Sequence, residues 1–228
     1  MKEKIIRKVC QILPVLLMAG ALTACDTHIE VPDTAVRPGH VLCVDGKTMP
    51  YNEYEQSGKQ AIGIVFDTHQ EGKSEGYGYA VYLWDIEPAA FADSLGVEQG
   101  TSADIEAHDG NTNTYALHST EDVASPMAEA VFGMWWYGQS AYVPSVAQMR
   151  LLYAAQDIIN PMIEKCGGTP LPQNDENCWY WTSTEVEGQQ AEKAWLYSMG
   201  SGAMQETPKT KVHKVRPIIT LNREADNG

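Results

Sequence analysis

Short apolar runs and alternating apolar positions predict β-strands in the first third of the chain. Residues 61–66 form a β-branched run, and residues 77–84 alternate as in a half-buried strand. Asp45-Gly46 separates two further extended segments, at residues 40–44 and 47–49. Because this dipeptide tolerates the positive φ angles of a type I′ turn, the two segments are predicted to form a β-hairpin.

Helical periodicity begins in the middle of the chain and is marked by capping residues. Ser125-Pro126 places a cap and a first-turn proline before a predicted helix over residues 127–136. Ser145-Val146-Ala147-Gln148 has the pattern of a capping box at the start of a second helix. Asn160-Pro161 is predicted to restart a short helical turn that ends at residues 166–168.

The chain returns to β-type segments after these helices. Strands are predicted over residues 179–184, 194–199 and 212–221, and Pro217 marks the last one as an edge strand or a bulge. Residues 85–123 lack periodicity and are rich in Asp, Gly, Asn and Thr, which predicts a long irregular excursion. Strands followed by helices and then strands, without a repeat of about 20–50 residues, predict one α+β domain.

The N-terminal segment has the composition of an export signal. Basic residues at positions 2–8 precede an apolar stretch at 9–21, which is too short to span about 30 Å of hydrocarbon. Leu22-Thr23-Ala24-Cys25 follows and resembles the lipobox of bacterial lipoproteins, in which the cysteine thiol receives the diacylglycerol. Cys25 is therefore the expected lipidation site, and the alternative is an ordinary signal with an incidental cysteine.

These features predict four segments along the chain. Residues 1–24 are the expected signal peptide, 25–38 a lipidated tether, 39–222 one domain and 223–228 a tail. The expected location is the cell envelope of a Gram-negative bacterium, with the lipid anchored in the outer membrane. Asp26 is compatible with inner-membrane retention in some bacteria and with surface export in others, so both leaflets stay open.

The charge balance restricts the classes of partner. The chain has 16 Lys and Arg residues against 30 Asp and Glu residues, which gives a formal net charge of −14. An acidic protein is repelled by phosphate backbones, so nucleic acid is not an expected partner. Since 43% of the residues are hydrophobic, the chain can bury an ordinary core.

Three cysteines remain after lipidation, and at least one of them must stay unpaired within the chain. Cys166 and Cys178 flank a polar loop rich in Gly and Pro, and a disulfide between them is one open alternative, with free thiols as the other. Together with Cys43 they lack the C-x-x-C spacing of structural zinc sites. The six histidines lack H-E-x-x-H spacing, so no transition-metal site is predicted.

Several separated motifs occur in an order that is typical of one bacterial family. They are Tyr142-Val143-Pro144-Ser145 with Gln148-Met149, Trp181-x-Ser183-Thr184-Glu185, Ala194-Trp195 and Val215-Arg216-Pro217-Ile218. The pattern resembles the Lcl C-terminal domain family, named for collagen-like bacterial adhesins, over residues 58–221. The resemblance implies a C-type-lectin-like fold with short twisted antiparallel sheets, two main helices and long loops.

The sequence departs from the family pattern at positions that concern function. Gln148 stands where members have glutamate, so no role of that glutamate is implied here, although glutamine also closes a capping box. The implied fold is also similar to that of formylglycine-generating enzymes, which need closely spaced reactive cysteines. Cys166 and Cys178 have the wrong spacing, so the resemblance implies no oxidase activity.

Two groups of side chains are candidates for ligand binding. Asp109, Asn111 and Asn113 offer oxygen ligands for calcium, although Asx turns explain the same pattern and are favoured over a cation. Trp136 and Tyr180 are out of phase with neighbouring aromatic residues, which makes their rings candidates for exposure and stacking on a ligand. Packing of these rings in the core is the alternative.

The remaining motif residues are assigned structural roles. Ser145 and Gln148 are expected to form a cap, and Arg216 is expected to pair with a buried carboxylate such as Glu185. The sequence as a whole favours a lipid-anchored, non-enzymatic protein that serves adhesion or binds a glycan or surface protein. The alternatives are a structural subunit of a fimbria-like assembly and an enzyme on the formylglycine-generating-enzyme-like scaffold. No catalytic residue is predicted, and calcium is the one cofactor considered.

Overall fold

The computed structural model describes residues 35–68, 77–136, 139–174 and 178–221, apart from the side chains of residues 135–136 and 139–140. The expected signal peptide, the Cys25 lipidation site, most of the tether and the tail lie outside the described residues. Within these ranges, no helix combines the length and the apolar character needed to cross a bilayer.

Five α-helices and twelve short β-strands make up the described part of the chain. The helices are α1 (Tyr51–Ser57), α2 (Gly110–Ser119), α3 (Pro126–Phe132), α4 (Val146–Ala154) and α5 (Gln156–Lys165). The first strands are β1 (Val41–Cys43), β2 (Thr48–Met49), β3 (Ala61–Thr68), β4 (Gly78–Tyr82), β5 (Ile86–Ala90), β6 (Trp135–Trp136) and β7 (Gln139–Ser140). The later strands are β8 (Trp179–Glu185), β9 (Lys193–Ser198), β10 (Met204–Pro208), β11 (Val212–Val215) and β12 (Ile218–Leu221). The predicted α+β class is confirmed.

The strands form two open five-stranded sheets and one small hairpin, β6–β7. The first sheet has the order β12-β4-β3-β1-β2, and its pairs are antiparallel. The second sheet has the order β10-β9-β8-β11-β5 and is mixed, because β11 runs parallel to β8. The hairpin predicted at Asp45-Gly46 is confirmed by the pairing of β1 with β2 and by a φ angle of 82° at Gly46.

The strand predicted over residues 212–221 is divided between the two sheets. β11 ends at Val215 in the second sheet, and β12 begins at Ile218 on the edge of the first. Because Pro217 has no backbone N–H, it cannot continue a hydrogen-bonded ladder. The Arg216-Pro217 step therefore carries the chain from one sheet to the other.

The first core lies between the first sheet and the helices α4 and α5. Val41, Cys43 and Ile64 face this core from β1 and β3, and Ile163 packs onto them from α5. A second set of residues covers the opposite face of the same sheet. Burial on both faces explains why residues 61–66 form a continuous apolar run instead of an alternating one.

The second core is built around Trp181 of β8, which is fully buried. Its indole Nε1 donates to the carbonyls of Ala89 and Lys211 at 3.1 and 3.2 Å. The ring meets Phe91 edge to face at 5.5 Å between centroids, and Leu117 of α2 belongs to the same cluster. Burial of an aromatic ring of this size, with its polar atom satisfied, makes Trp181 a core residue.

The prediction of an irregular excursion over residues 85–123 is wrong, because β5 and α2 lie within it. α2 buries Asn113 and Thr114 beside Leu117, so its buried face lacks an apolar stripe. The Thr114 hydroxyl instead accepts a hydrogen bond from the Val143 backbone N–H at 2.9 Å. Tertiary hydrogen bonds of this kind leave no periodic signal in the sequence.

The central helices also differ from the prediction at their ends. The helix predicted over residues 127–136 ends at Phe132, and Trp135 and Trp136 belong to β6. No break occurs at Asn160, since α5 begins at Gln156 and contains Pro161. The proline favoured the prediction of a break at this point, but α5 continues through Pro161 even though this residue cannot donate a backbone hydrogen bond.

The capping box predicted at the start of α4 is confirmed. The Gln148 backbone N–H donates to Ser145 Oγ at 3.4 Å, and the Ser145 N–H donates to Gln148 Oε1 at 2.9 Å. Gln148 Nε2 also donates to the Tyr142 hydroxyl at 3.2 Å. A Cβ atom on Gly110 would lie 2.3 Å from Gln148 Oε1, so α2 approaches closely at this point. Glutamine therefore supplies both an acceptor and a donor here, which a glutamate could not.

Candidate functional site

Two adjoining cavities of about 480 and 410 Å³ run along α5 and open to solvent. They share the lining residues Gln156, Asp157 and Gln173, so they adjoin, and we describe them together as one groove. We call it the α5 groove. Its other lining residues are Tyr153, Ala154, Asn160, Pro161, Glu164, Pro170, Leu171, Asn174 and Gly200. Each cavity falls within the size range of small-molecule sites, about 300–1,000 Å³.

Asn160 fixes one wall of the α5 groove. Its Nδ2 donates to the Leu171 carbonyl at 2.8 Å, and its Oδ1 accepts from the Leu171 N–H at 2.9 Å. Both partners are buried, so this two-way contact is protected from competition by water. The loop that carries Pro170 and Gln173 is thereby held at a defined distance from the helix.

The floor of the groove presents polar groups on α5. Gln156 is buried and donates from Nε2 to the Met199 carbonyl at 2.8 Å, which orients its amide. Gln173 Nε2 donates to Asp157 Oδ1 at 2.9 Å across the groove. Pro161 lies within α5 and lacks the N–H that a regular helix directs to the Asp157 carbonyl.

Tyr153 lines one of the two cavities. Its half-buried ring packs against Tyr197 at 6.1 Å between centroids and at an interplanar angle of 62°. A Cβ atom on Gly202 would approach the Tyr153 ring to 3.0 Å, and Gly202 has a φ angle of +71°. The turn that follows β9 therefore requires glycine at this position, both for its backbone conformation and for the position of the ring.

The charged side chains among the described groove residues are the two carboxylates of Asp157 and Glu164. A groove of this charge repels anions. Asn160 uses both polar atoms on Leu171, whereas Gln156 and Gln173 each donate one N–H within the protein and have further amide valences. The carboxylates accept, and Tyr153 adds an aromatic ring and a hydroxyl to the lining. This combination is suited to a neutral, polyhydroxylated ligand.

The two aromatic residues predicted to be exposed do not form this site. Tyr180 is 1% exposed, so the prediction that its ring is exposed is wrong. Its hydroxyl donates to Asp85 at 3.1 Å, and burial raises the pKa of this hydroxyl well above its usual range. Trp136 lies in β6, and its side chain is outside the described residues.

The calcium candidates lie at the start of α2 and not in a loop. Asp109 is the residue before the helix, and Asn111 and Asn113 occupy its first turns. The Asp109 carboxylate accepts from Asn113 Nδ2 at 2.9 Å, while Asn113 Oδ1 accepts from the Ser102 N–H at 3.0 Å. Among the described residues, no group of three or more His, Cys, Asp or Glu side chains could hold a metal ion.

The cysteine bridge considered from the sequence is not formed. Cys43, Cys166 and Cys178 are all free thiols in the structure. Cys178 Sγ lies 2.9 Å from the Ser198 hydroxyl oxygen, in a buried contact between the start of β8 and the end of β9. The Cys178 thiol is thus held by a neighbouring strand and not by Cys166.

Arg216 and Glu185 are both buried, but they belong to different ion pairs. Arg216 pairs with Asp85, and Glu185 pairs with Lys209, so the expected Arg216–Glu185 pair is wrong. Burial lowers the pKa of Lys209, while the Glu185 carboxylate opposes that change. Lys209 lies in a turn after β10, where sequence patterning gives no reason to expect a buried ammonium.

Sequence reasoning did not find the α5 groove. Its lining comes from α4, α5, the 170–174 loop and the turn after β9, which are far apart in sequence. One local signal was present, since Gln156, Asp157 and Asn160 place three polar side chains on a helix that also buries Ile159 and Ile163. No protein-family model matches this chain, and no curated protein matches its sequence.

Proposed function

We propose that this protein is a lipid-anchored, non-enzymatic cell-envelope protein that binds a neutral carbohydrate in the α5 groove. The observation that carries the proposal is the combination of an aromatic wall, Tyr153, with the amides of Gln156 and Gln173 and the carboxylates of Asp157 and Glu164. Sugar hydroxyls both donate and accept hydrogen bonds, and the C–H face of a sugar ring is apolar. The groove offers partners for both.

The motifs shared with the Lcl C-terminal domain family support a C-type-lectin-like domain within this proposal. That family is named for adhesins, and a binding role on the cell envelope agrees with it. The expected lipobox at Cys25 supplies the anchor, with residues 25–38 as the tether. The domain then stands outside the cytosol, where extracellular or periplasmic glycans are available.

The two buried ion pairs lie away from the α5 groove and supply no charge pair to it. Neither Lys209–Glu185 nor Arg216–Asp85 includes a residue of the α5 groove. Glu185 and Lys209 are 1% and 0% exposed, so they belong to the interior and not to a cleft that admits a substrate. A catalytic site normally places such groups where a ligand can reach them.

The carbohydrate proposal is tested with a glycan array and a titration of the strongest hit. We expect neutral oligosaccharides to bind and sialylated or sulfated glycans to bind weakly, because Asp157 and Glu164 repel anions. Replacing Gln173 or Tyr153 with alanine is expected to weaken binding at least about tenfold, which corresponds to roughly 1.4 kcal/mol. Gln173 is exposed, so its replacement leaves the core intact.

The matched control for Tyr153 is Tyr115→Ala, since Tyr115 lies on α2 outside the groove and is 61% exposed. This control is expected to bind as the unchanged protein does. Equal losses for the two tyrosines, or preferred binding of anionic glycans, would contradict the assignment of the groove. Repeating the array in the presence of a chelator tests the calcium alternative. That alternative requires glycan binding to be lost in the chelator and also in the Asp109→Asn variant.

The anchor is tested by metabolic labelling of the full chain with radioactive palmitate in a Gram-negative host. We expect label in the unchanged protein and its loss in Cys25→Ser, because Cys25 is the acceptor of the lipid. Cys10→Ser is the control, since Cys10 lies within the expected signal peptide and is removed with it. Label that survives in Cys25→Ser would contradict the lipid anchor.

A further inference from the structure

Three aromatic rings lie together on the outer surface of α2 and α3. The ring of Phe132, the last residue of α3, stacks on the His118 ring of α2 at 4.0 Å between centroids and at an interplanar angle of 12°. Tyr115 lies one turn earlier on α2, and its ring centroid is 6.2 Å from that of Phe132. Tyr115 is 61% exposed, His118 is exposed, and Phe132 is half-buried. We call these three side chains the aromatic platform.

The aromatic platform lies outside the hydrophobic cores. Leu117 of α2 and Met127 and Val131 of α3 belong to the second core, whereas the core clusters of the described residues include none of the three platform rings. The rings contact one another and keep exposed area. Tyrosine and phenylalanine rings are enriched at protein interfaces, where a partner covers such area. The platform is therefore suited to recognition of a partner.

The platform stands in a part of the chain with a one-sided charge. Residues 77–149 contain ten Asp and Glu residues and no Lys or Arg. Glu121 and Asp122 follow the end of α2, and Glu129 lies on α3 one turn before Phe132. All three carboxylates are exposed, and within the described ranges no Lys or Arg forms an ion pair with them. The surface around the rings is therefore negative.

The two carboxylates after α2 occupy an unfavourable position in the chain by itself. The carbonyl end of a helix carries a partial negative charge, which cations stabilise and anions destabilise. The last turn of α2 contains no Lys or Arg, and Glu121 and Asp122 come directly after the C-cap residue, Thr120. A cation from outside the chain would offset this repulsion. Binding sites commonly keep such arrangements at some expense of stability.

We propose that the aromatic platform and the carboxylates of Glu121, Asp122 and Glu129 bind a basic segment of another protein. An Arg or Lys side chain of the partner stacks on an exposed ring and pairs with a neighbouring carboxylate. Small molecules bind in cavities that cover most of their surface, whereas a ring as exposed as that of Tyr115 lies on an open surface. A polypeptide can place several cations along such a surface, and the negative charge repels nucleic acids and anionic lipids. This role does not depend on the carbohydrate proposal for the α5 groove.

The test is a calorimetric titration of the purified full chain with a synthetic peptide of alternating arginine and glycine. The comparison peptide has citrulline in place of arginine, which keeps the shape and removes the charge. We expect the arginine peptide to bind, the citrulline peptide not to bind, and the affinity to fall as salt is added. Tyr115→Ala is expected to weaken binding at least about fivefold, as the loss of a cation–π contact does. Tyr153→Ala, which changes the α5 groove, is expected to bind the arginine peptide as the unchanged protein does.

A matched pair of double variants separates this surface from the overall charge of the chain. Glu121→Gln with Asp122→Asn removes two charges beside the platform, and Glu53→Gln with Glu55→Gln removes two exposed charges from α1. The first variant is expected to lose clearly more affinity for the arginine peptide than the second. Equal losses for the two variants, equal affinity for the two peptides, or an unchanged affinity of Tyr115→Ala overturns the proposal.

Two further measurements identify other occupants of the platform. Self-association of the unchanged protein in sedimentation, if Tyr115→Ala abolishes it, would assign the platform to a second copy of this chain and overturn the proposal. Loss of glycan binding by Tyr115→Ala would assign the platform to a sugar and overturn it as well. If the unchanged protein binds the arginine peptide as expected but no glycan, the result supports this proposal and counts against the proposed function alone.

Discussion

Replacing Lys209 with methionine is expected to lower the free energy of unfolding by about 3–5 kcal/mol. The side chain of Lys209 is fully buried, and its ammonium pairs with the equally buried carboxylate of Glu185. Among the described residues, that carboxylate keeps one other donor, the Gln99 N–H at 3.0 Å, and its Oε2 is buried without a hydrogen-bond partner. The substitution therefore leaves in the core a carboxylate that has one backbone donor and no opposite charge beside it.

The loss comes from the unpaired charge and not from a large net gain of the pair itself. Adding Glu185→Gln to Lys209→Met removes both charges and is expected to restore more than half of the lost stability. Full recovery is not expected, because Lys209 Nζ also donates to the Val97 carbonyl and to the Gln99 amide oxygen, both at 3.2 Å. Methionine leaves these acceptors unsatisfied.

Urea-induced unfolding of the purified variants measures both effects. Lys193→Met is the matched control, since Lys193 pairs with Glu206 at 3.1 Å with both side chains about a third exposed. Its loss is expected to stay below about 1 kcal/mol, as is usual for surface pairs. Equal losses for Lys193→Met and Lys209→Met would contradict the assignment of Lys209 as a buried charge that requires its partner.

Replacing Arg216 with methionine is also expected to lower the free energy of unfolding by about 3–5 kcal/mol. In this case one side chain loses three interactions at once. Arg216 stands where the chain passes from the second sheet to the first. Its guanidinium pairs with Asp85 and donates to the carbonyls of Tyr82 at 3.0 Å and of Thr169 at 2.8 Å. One side chain thus connects β4, the loop after α5 and the start of β5.

The Arg216→Lys variant tests whether the positive charge alone stabilises this site or whether the contacts of the guanidinium with the carbonyls are also needed. Lysine keeps the charge, but its single nitrogen cannot reach in the three directions used by the planar guanidinium. We expect the free energy of unfolding of this variant to fall by about 1–3 kcal/mol, which is the range for buried acceptors that lose their donor. Arg150→Met is the control, because Arg150 pairs with Glu106 at the surface. A lysine variant as stable as the unchanged protein would show that the carbonyl contacts do not matter.

The local signals in the sequence predicted the elements that depend on neighbouring residues. The Asp45-Gly46 hairpin and the Ser145–Gln148 capping box are present because turn and cap geometry is decided within a few residues. The polar helix α2 was missed, since Asn113 and Thr114 are buried by hydrogen bonds to distant segments. Patterning detects an apolar stripe and is insensitive to buried polar contacts.

The sequence predicted neither the candidate site nor its lining. The charge balance argued only against nucleic acid as a partner, whereas the carboxylates and amides of the groove became visible in the structure. Its position could not be predicted, because Tyr153, Gln173 and Gly200 come together through the packing of α5 against two connecting loops. Tyr180 illustrates the same point, since β8 is buried on both faces: Tyr180 belongs to the first core, Trp181 belongs to the second, and Asp85 accepts the Tyr180 hydroxyl.

The amino-acid sequence by itself determined the α+β class, the strands β1 to β4, β8 and β9, the capped starts of α3 and α4, and the acidic character of the chain. These properties follow from residue types and from periods of two or 3.6 residues, which act over short distances. The tertiary structure decided which charges pair, which thiols share a core and where a groove opens. Each of these depends on side chains that are distant in sequence and meet only when the two sheets and α5 have packed.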